Sequence, residues 1–154
     1  MEIERVREVA IRVRSAIESI APQDLPITFS HFPRGACGDA CLLLGTYLED
    51  QCGFDAFDYV SGERGSHTQD TWTSHAWLQR GELIVDITAD QFPDAPAPVI
   101  VAEPSLWHRG FGVESRSPAN LKKWSGPRTY DVLRLYARVR RLLDERAARE
   151  ARDA

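Results

Sequence analysis

Apolar residues in the first twenty positions recur at steps of three and four: Ile3, Val6, Val9, Ala10, Val13, Ile17 and Ile20, with charges between them. That spacing predicts an amphipathic helix over residues 2–20, ended by the two prolines of "APQDLP". The stretch "ITFSHFPRGACG" has no period and is broken by glycine, so it reads as loop. From Gly38 or Asp39 a second helix is expected to run to about Gln51, with Leu42, Leu43, Leu44, Tyr47 and Leu48 on a wide apolar face. Asp39 suits its positive first turn, and Gly53 suits its stop. Beyond it the period shortens to two. Strands are expected at 54–62, as a pair within 74–88, at 99–103 and at 111–115. Residues 63–73 form a polar loop, a candidate substrate-contacting rim through His67, Thr68, Gln69 and Asp70. A terminal helix is expected over about 129–150, with Leu133, Tyr136, Ala137, Leu142 and Leu143 near helical spacing. Helices, then strands joined as hairpins, then a helix, predict an α+β fold with an antiparallel sheet, in one domain over residues 1–154.

Composition narrows the function. A formal net charge of −4 without a clustered basic excess argues against a nucleic-acid partner. No apolar run of about 18 residues predicts a membrane span, and "MEIERVREVAIRVRSAIESI" lacks the apolar block of a signal peptide, so the expected location is the cytoplasm. Three cysteines do not fit an even disulfide framework, and in a reducing compartment all three are expected as thiols.

Cys37 falls where the loop enters the second helix, a position that favours a thiolate and places free helical amides beside it. Cys41, followed by three leucines, reads as a core thiol on nearly the same helix face, and Cys52 as a helix-end thiol. A partner emerges from "SHAWLQRGELIVDIT". If Arg80 and Gly81 make a two-residue turn, His75 lies directly opposite Asp86, with Cβ atoms roughly 4.5–5.5 Å apart. A four-residue loop keeps that register, whereas a three-residue loop would separate the pair. An aspartate that holds an imidazole is the orienting half of a nucleophilic triad. Trp77 shares the strand face of His75, either as packing or as a shield against water. Asp90 and Gln91 stand just past the second strand, as substrate contacts or turn residues. A zinc site from Cys37, Cys41, His75 and one of His31, His67 or His108 lacks the second matched pair usual for structural zinc, so no metal is expected.

The segments "GACGDACLLLGTYLEDQCGF" and "SHAWLQRGELIVDIT" resemble the transglutaminase-like branch of the papain-like cysteine enzymes, over roughly residues 33 to 92. The resemblance implies a papain-like or transglutaminase-like fold with Cys37 as nucleophile, His75 as base and Asp86 as orienting acid. The tryptophan that often follows the nucleophile in that family is here Gly38. The glutamine that supplies an oxyanion donor in papain itself has no counterpart before Cys37, which leaves Tyr59, Ser30 and His31 for that role. The expected function is cysteine-dependent acyl transfer on a peptide or carboxamide, by hydrolysis (peptidase, amidase or deamidase) or by transamidation to an amine. A peptide-binding domain without turnover is the competing expectation. The chemistry calls for a protein or peptide substrate and no cofactor.

Overall fold

The computed structural model describes residues 1–154. Three α-helices, α1 (Glu2–Glu18), α2 (Cys37–Asp50) and α3 (Pro127–Asp153), pack on an antiparallel sheet of five strands. The strands are β1 (Asp58–Arg64), β2 (Thr73–Arg80), β3 (Leu83–Asp86), β4 (Ile100–Ala102) and β5 (Gly112–Pro118), in spatial order β4-β3-β2-β1-β5. The chain is therefore α+β, as the alternation of periods implies. No helix is long and apolar enough to cross a membrane.

The period-two pattern of the strands divides the interior into two cores. Ala76, Leu78, Leu83 and Val85 face the helices and join Val6, Ala10, Val13 and Ile17 of α1 and Leu43, Leu44 and Leu48 of α2. The alternate positions Val60, Trp77 and Ile84 point the other way and pack with Phe111, backed by Phe92 and Trp107 from the long loops after β3 and β4. Helix α2 is buried almost all round, as its run of leucines requires, because it lies between the sheet, α1 and α3. Gly45 marks its closest approach to the chain. A Cβ there would stand 2.3 Å from the Ala119 carbonyl oxygen. The helix closes as its sequence suggests: Gly53 takes a left-handed φ of 73°, and the Cys52 amide donates back to the Tyr47 carbonyl.

Several boundaries differ from the sequence reading. Helix α2 begins at Cys37 itself, and β1 starts at Asp58 rather than residue 54 and runs on to Arg64. The loop is shorter, 65–72, and is tied internally: the Ser66 amide donates to Thr71 Oγ1 and His67 stacks on Trp72. The inner row of α3 is Val132, Leu135, Val139 and Leu143, while Leu133 is 37% exposed. Spacings of three and four fit both rows, and the neighbours α1 and α2 select the first.

The β2–β3 register also corrects an expectation. Arg80 pairs with Leu83 and Leu78 with Val85, so the turn is Gly81–Glu82 and not Arg80–Gly81. Gly81 has a φ of 61° at the first central position, the place where a type II′ hairpin turn needs glycine. Continuing the register, Asp86 faces Trp77 and His75 faces Thr88, so His75 and Asp86 are diagonal neighbours. A shift of two residues keeps every side chain on its expected face, which is why the two still meet.

Candidate active site

The diagonal pair is in hydrogen-bond contact. His75 Nε2 lies 2.6 Å from Asp86 Oδ2, with both side chains essentially inaccessible to solvent. A second imidazole shares that oxygen. His108, from the loop after β4, places its Nε2 2.7 Å from Asp86 Oδ2 and its Nδ1 2.6 Å from Ser105 Oγ. The other carboxylate oxygen accepts from the Thr88 backbone amide at 2.9 Å and faces the Thr88 hydroxyl at 3.4 Å. Asp86 is thus fully surrounded by donors. Burial alone would raise its pKa, but the hydrogen bonds from His108 and His75 outweigh that cost and hold it down at about 2.

An ionised carboxylate only accepts, so both Nε2 atoms carry hydrogen. That fixes the tautomer of His75 and leaves Nδ1 as its free nitrogen. In its neutral form His108 then accepts the Ser105 hydroxyl at Nδ1. The His75 ring is buried, which opposes its charge. Asp86, as hydrogen-bond partner and negative neighbour, and the nearby Cys37 overcome the burial and push it up to about 9. Cys37 is near enough to bear on the charge of His75, and His75 is hydrogen-bonded to Asp86. The contact at Nδ1 that meets hydrogen-bond geometry is a long one, 3.3 Å from Gln91 Nε2, which also donates to the Thr88 carbonyl at 3.1 Å.

Around the pair stands an aromatic wall. The His75 ring lies 5.0 Å from Phe92, 5.7 Å from Phe111, 5.9 Å from Trp107 and 6.0 Å from Trp77. Arg64 lies over Phe111, Trp107 and Phe92 and grips Asp94 with both guanidinium nitrogens at 2.8 and 2.7 Å. This clasp ties the end of β1 to the loop after β3 over the site.

Cys37, half-buried, opens α2, whose first turn has no side-chain cap. The first helical bond is Ala40 N–H to the Ala36 carbonyl, at 2.8 Å, so the preceding amides stay available. Asp39 is held by Thr28 Oγ1 at 2.7 Å. Beside this turn opens a cleft of about 290 Å³, lined by Asp39, Leu42, Trp124, Arg128 and Val132 among others. Cys41 is buried, and desolvation, joined by the neighbouring Cys37, pushes its thiol well up. Cys52 sits at the helix end, with its thiol also raised by burial.

The remaining candidates separate clearly. Trp77 is 1% exposed, its indole N–H donates to Gln79 Oε1 at 3.0 Å, and it walls the pair. Asp90 is engaged by Arg14 through two bonds of 2.6 and 2.8 Å and belongs to the packing of α1. The Ser30 hydroxyl donates to the Ile27 carbonyl. Tyr59 and Gly38 meet at the first turn of α2, and Gln91 meets His75.

Sequence reasoning missed the role of His108. It lies in an aperiodic segment, and its contact with Asp86 spans 22 residues. It also changes the metal question, because His75, Asp86 and His108 form a compact group that Cys37 and Cys41 are not part of. Two nitrogens at 2.6 and 2.7 Å from one oxygen have hydrogen-bond spacing. Ligands on ~2.0 Å bonds around a tetrahedral zinc stand roughly 3.3 Å apart. The donor set is arranged for protons. Comparisons with family models, with curated proteins and with solved structures found no match.

Proposed function

We propose that the protein is a cysteine-dependent acyl-transfer enzyme acting on a peptide or carboxamide, with Cys37 as nucleophile, His75 as acid–base and Asp86 as orienting carboxylate. The architecture, a nucleophile helix packed on an antiparallel sheet, is read in finer terms as a papain-like, transglutaminase-like fold. One observation supports this most: a buried imidazole has its Nε2 fixed on an ionised aspartate, and the thiol that helps raise its pKa stands at an uncapped helix start.

The steps follow from those positions. The Cys37 thiolate, its proton passed to Nδ1, attacks the carbonyl carbon while His75, protonated on both nitrogens, stands beside it. Nδ1–H protonates the departing amine, and a thioester remains on Sγ. The neutral ring then takes a proton from the incoming nucleophile. Water gives hydrolysis, and an amine gives transamidation. Hydrolysis is the outcome we favour, because it needs only water as the second reactant. Asp86 keeps the ring in one tautomer throughout and stabilises the imidazolium.

The test is a library of blocked peptides incubated with wild type and with Cys37→Ala, read by mass spectrometry for cleaved bonds and for glutamine converted to glutamate. Cys37-dependent products support the reading. An identical peptide spectrum with both proteins contradicts it.

A further inference from the structure

Acyl transfer through Cys37 needs a donor for the negative charge that develops on the carbonyl oxygen. The helix start supplies backbone amides, but the glutamine of papain has no counterpart. Tyr59 occupies the neighbourhood. Its ring rises from β1 and packs at a tilt against Trp124, with centroids 5.3 Å apart, and its hydroxyl reaches the first turn of α2. A Cβ on Gly38 would stand 2.9 Å from Tyr59 Oη. Any other residue after the nucleophile would push against the phenol. The hydroxyl makes no hydrogen bond within the protein, although the ring is largely covered and packs on the helix-facing core. An unpartnered O–H beside a nucleophile is a donor with its capacity unspent.

We propose that Tyr59 is a catalytic residue of this site: its hydroxyl donates to the oxyanion formed when Cys37 attacks a carbonyl, and Gly38 follows the cysteine to admit it. This rests on the acyl-transfer reading above. In the step, Sγ bonds to the carbonyl carbon and the π pair moves onto oxygen. That oxygen accepts from Tyr59 Oη–H and from amides of the first turn of α2. Collapse restores the carbonyl, breaks the bond to the leaving group and gives that group the proton from His75 Nδ1. Burial and the nearby Cys41 and Cys37 thiols push the phenol up to about 12, so it stays protonated and able to donate at neutral pH. Trp124 fixes the ring from one side, and the tryptophan also lines the cleft beside α2.

The experiment separates the donor from the nucleophile. Alkylation by iodoacetamide needs the thiolate but forms no oxyanion. Acylation by p-nitrophenyl acetate forms one, and nitrophenolate leaves without a proton. Both rate constants are measured at Cys37 in the full chain, wild type and Tyr59→Phe, with free N-acetylcysteine as reference. Tyr59→Phe keeps the ring on Trp124 and removes only the unpartnered oxygen. The expected result is alkylation within about twofold of wild type and acylation lowered by roughly 10²-fold, the scale of losing one oxyanion donor. Acylation unchanged in Tyr59→Phe would overturn the proposal. So would equal loss of both rates, which would place the phenol in support of the thiolate. A wild-type acylation-to-alkylation ratio no higher than that of N-acetylcysteine would also overturn it. Slow alkylation of wild-type Cys37 would instead sink the acyl-transfer reading itself, and the two failures are distinguishable.

Discussion

Replacing Asp86 by asparagine removes the charge on which two buried imidazoles rest, and its effect on stability has a defined pH window. His75 is pushed from an ordinary 6.5 to about 9 in the folded chain. Its folded pKa is raised, so the stabilisation is fully present below pH 6.5 and is lost as pH rises through 9. At about 1.4 kcal/mol per unit, the shift corresponds to about 3 kcal/mol. Seen from the carboxylate, Asp86 falls from 3.8 to about 2, which is about 2 kcal/mol, present above pH 3.8 and lost as pH falls through 2. The two figures describe overlapping contacts and are not added. The His75 figure contains the contribution of Cys37, which Asp86→Asn leaves in place, and the Asp86 figure contains that of His108, so the part of the His75 figure that Asp86 supplies is about 2 kcal/mol. Urea unfolding of wild type and Asp86→Asn, each at pH 6 and pH 9.5, cancels the other titrating groups in a difference of differences. Wild type should lose about 2 kcal/mol more than the variant over that interval. Parallel pH curves would refute the account of the pair. Should Asp86→Asn not fold, His75→Gln carries the same test.

Other expectations follow from the same geometry. His108→Ala strands the Ser105 hydroxyl, takes one donor from Asp86 and leaves a cavity; chemical denaturation should show a loss of roughly 2–4 kcal/mol, and the midpoint of acid unfolding should move to higher pH. Two glycines of α2 should respond differently to alanine. Gly45→Ala meets the Ala119 backbone and should lower stability by roughly 1–3 kcal/mol in spite of its better helix propensity. Gly38→Ala meets only the end of the Tyr59 side chain, so thermal unfolding should show stability held within about 1 kcal/mol while acylation of Cys37 falls. Dialysis against a chelator should leave both the melting temperature and the alkylation rate unchanged, and elemental analysis showing stoichiometric zinc would contradict the proton-based reading of the His75–Asp86–His108 group.

The parts of this site that were legible in the sequence are those carried by local rules. The loop-to-helix position of Cys37 follows from apolar spacing and glycine punctuation. Period two sets His75 and Asp86 on one face of the sheet, and they meet although the observed register differs by two residues from the one a turn at Arg80–Gly81 implies. The turn itself was readable: Gly81–Glu82 has the Gly-X form of a type II′ hairpin, whereas Arg80–Gly81 puts glycine one position late. His108 left no local signal, because "PSLWHRGF" has no period and its partner lies on β3. The inner face of α3 was ambiguous for a related reason. Two rows fit helical spacing, and the choice is made by packing on α1 and α2. The fate of Tyr59 was half visible: its strand was expected, but the meeting of its hydroxyl with Gly38 depends on how α2 crosses β1.

The most direct test of the central claim is the rate of Cys37 alkylation by iodoacetamide as a function of pH, assigned by mass spectrometry, in wild type and in His75→Ala. The account predicts rapid labelling of Cys37 well below pH 8 in wild type, lost in His75→Ala, with Cys41 and Cys52 slow in both. Uniformly slow labelling of Cys37 with the same pH profile in both proteins would contradict it.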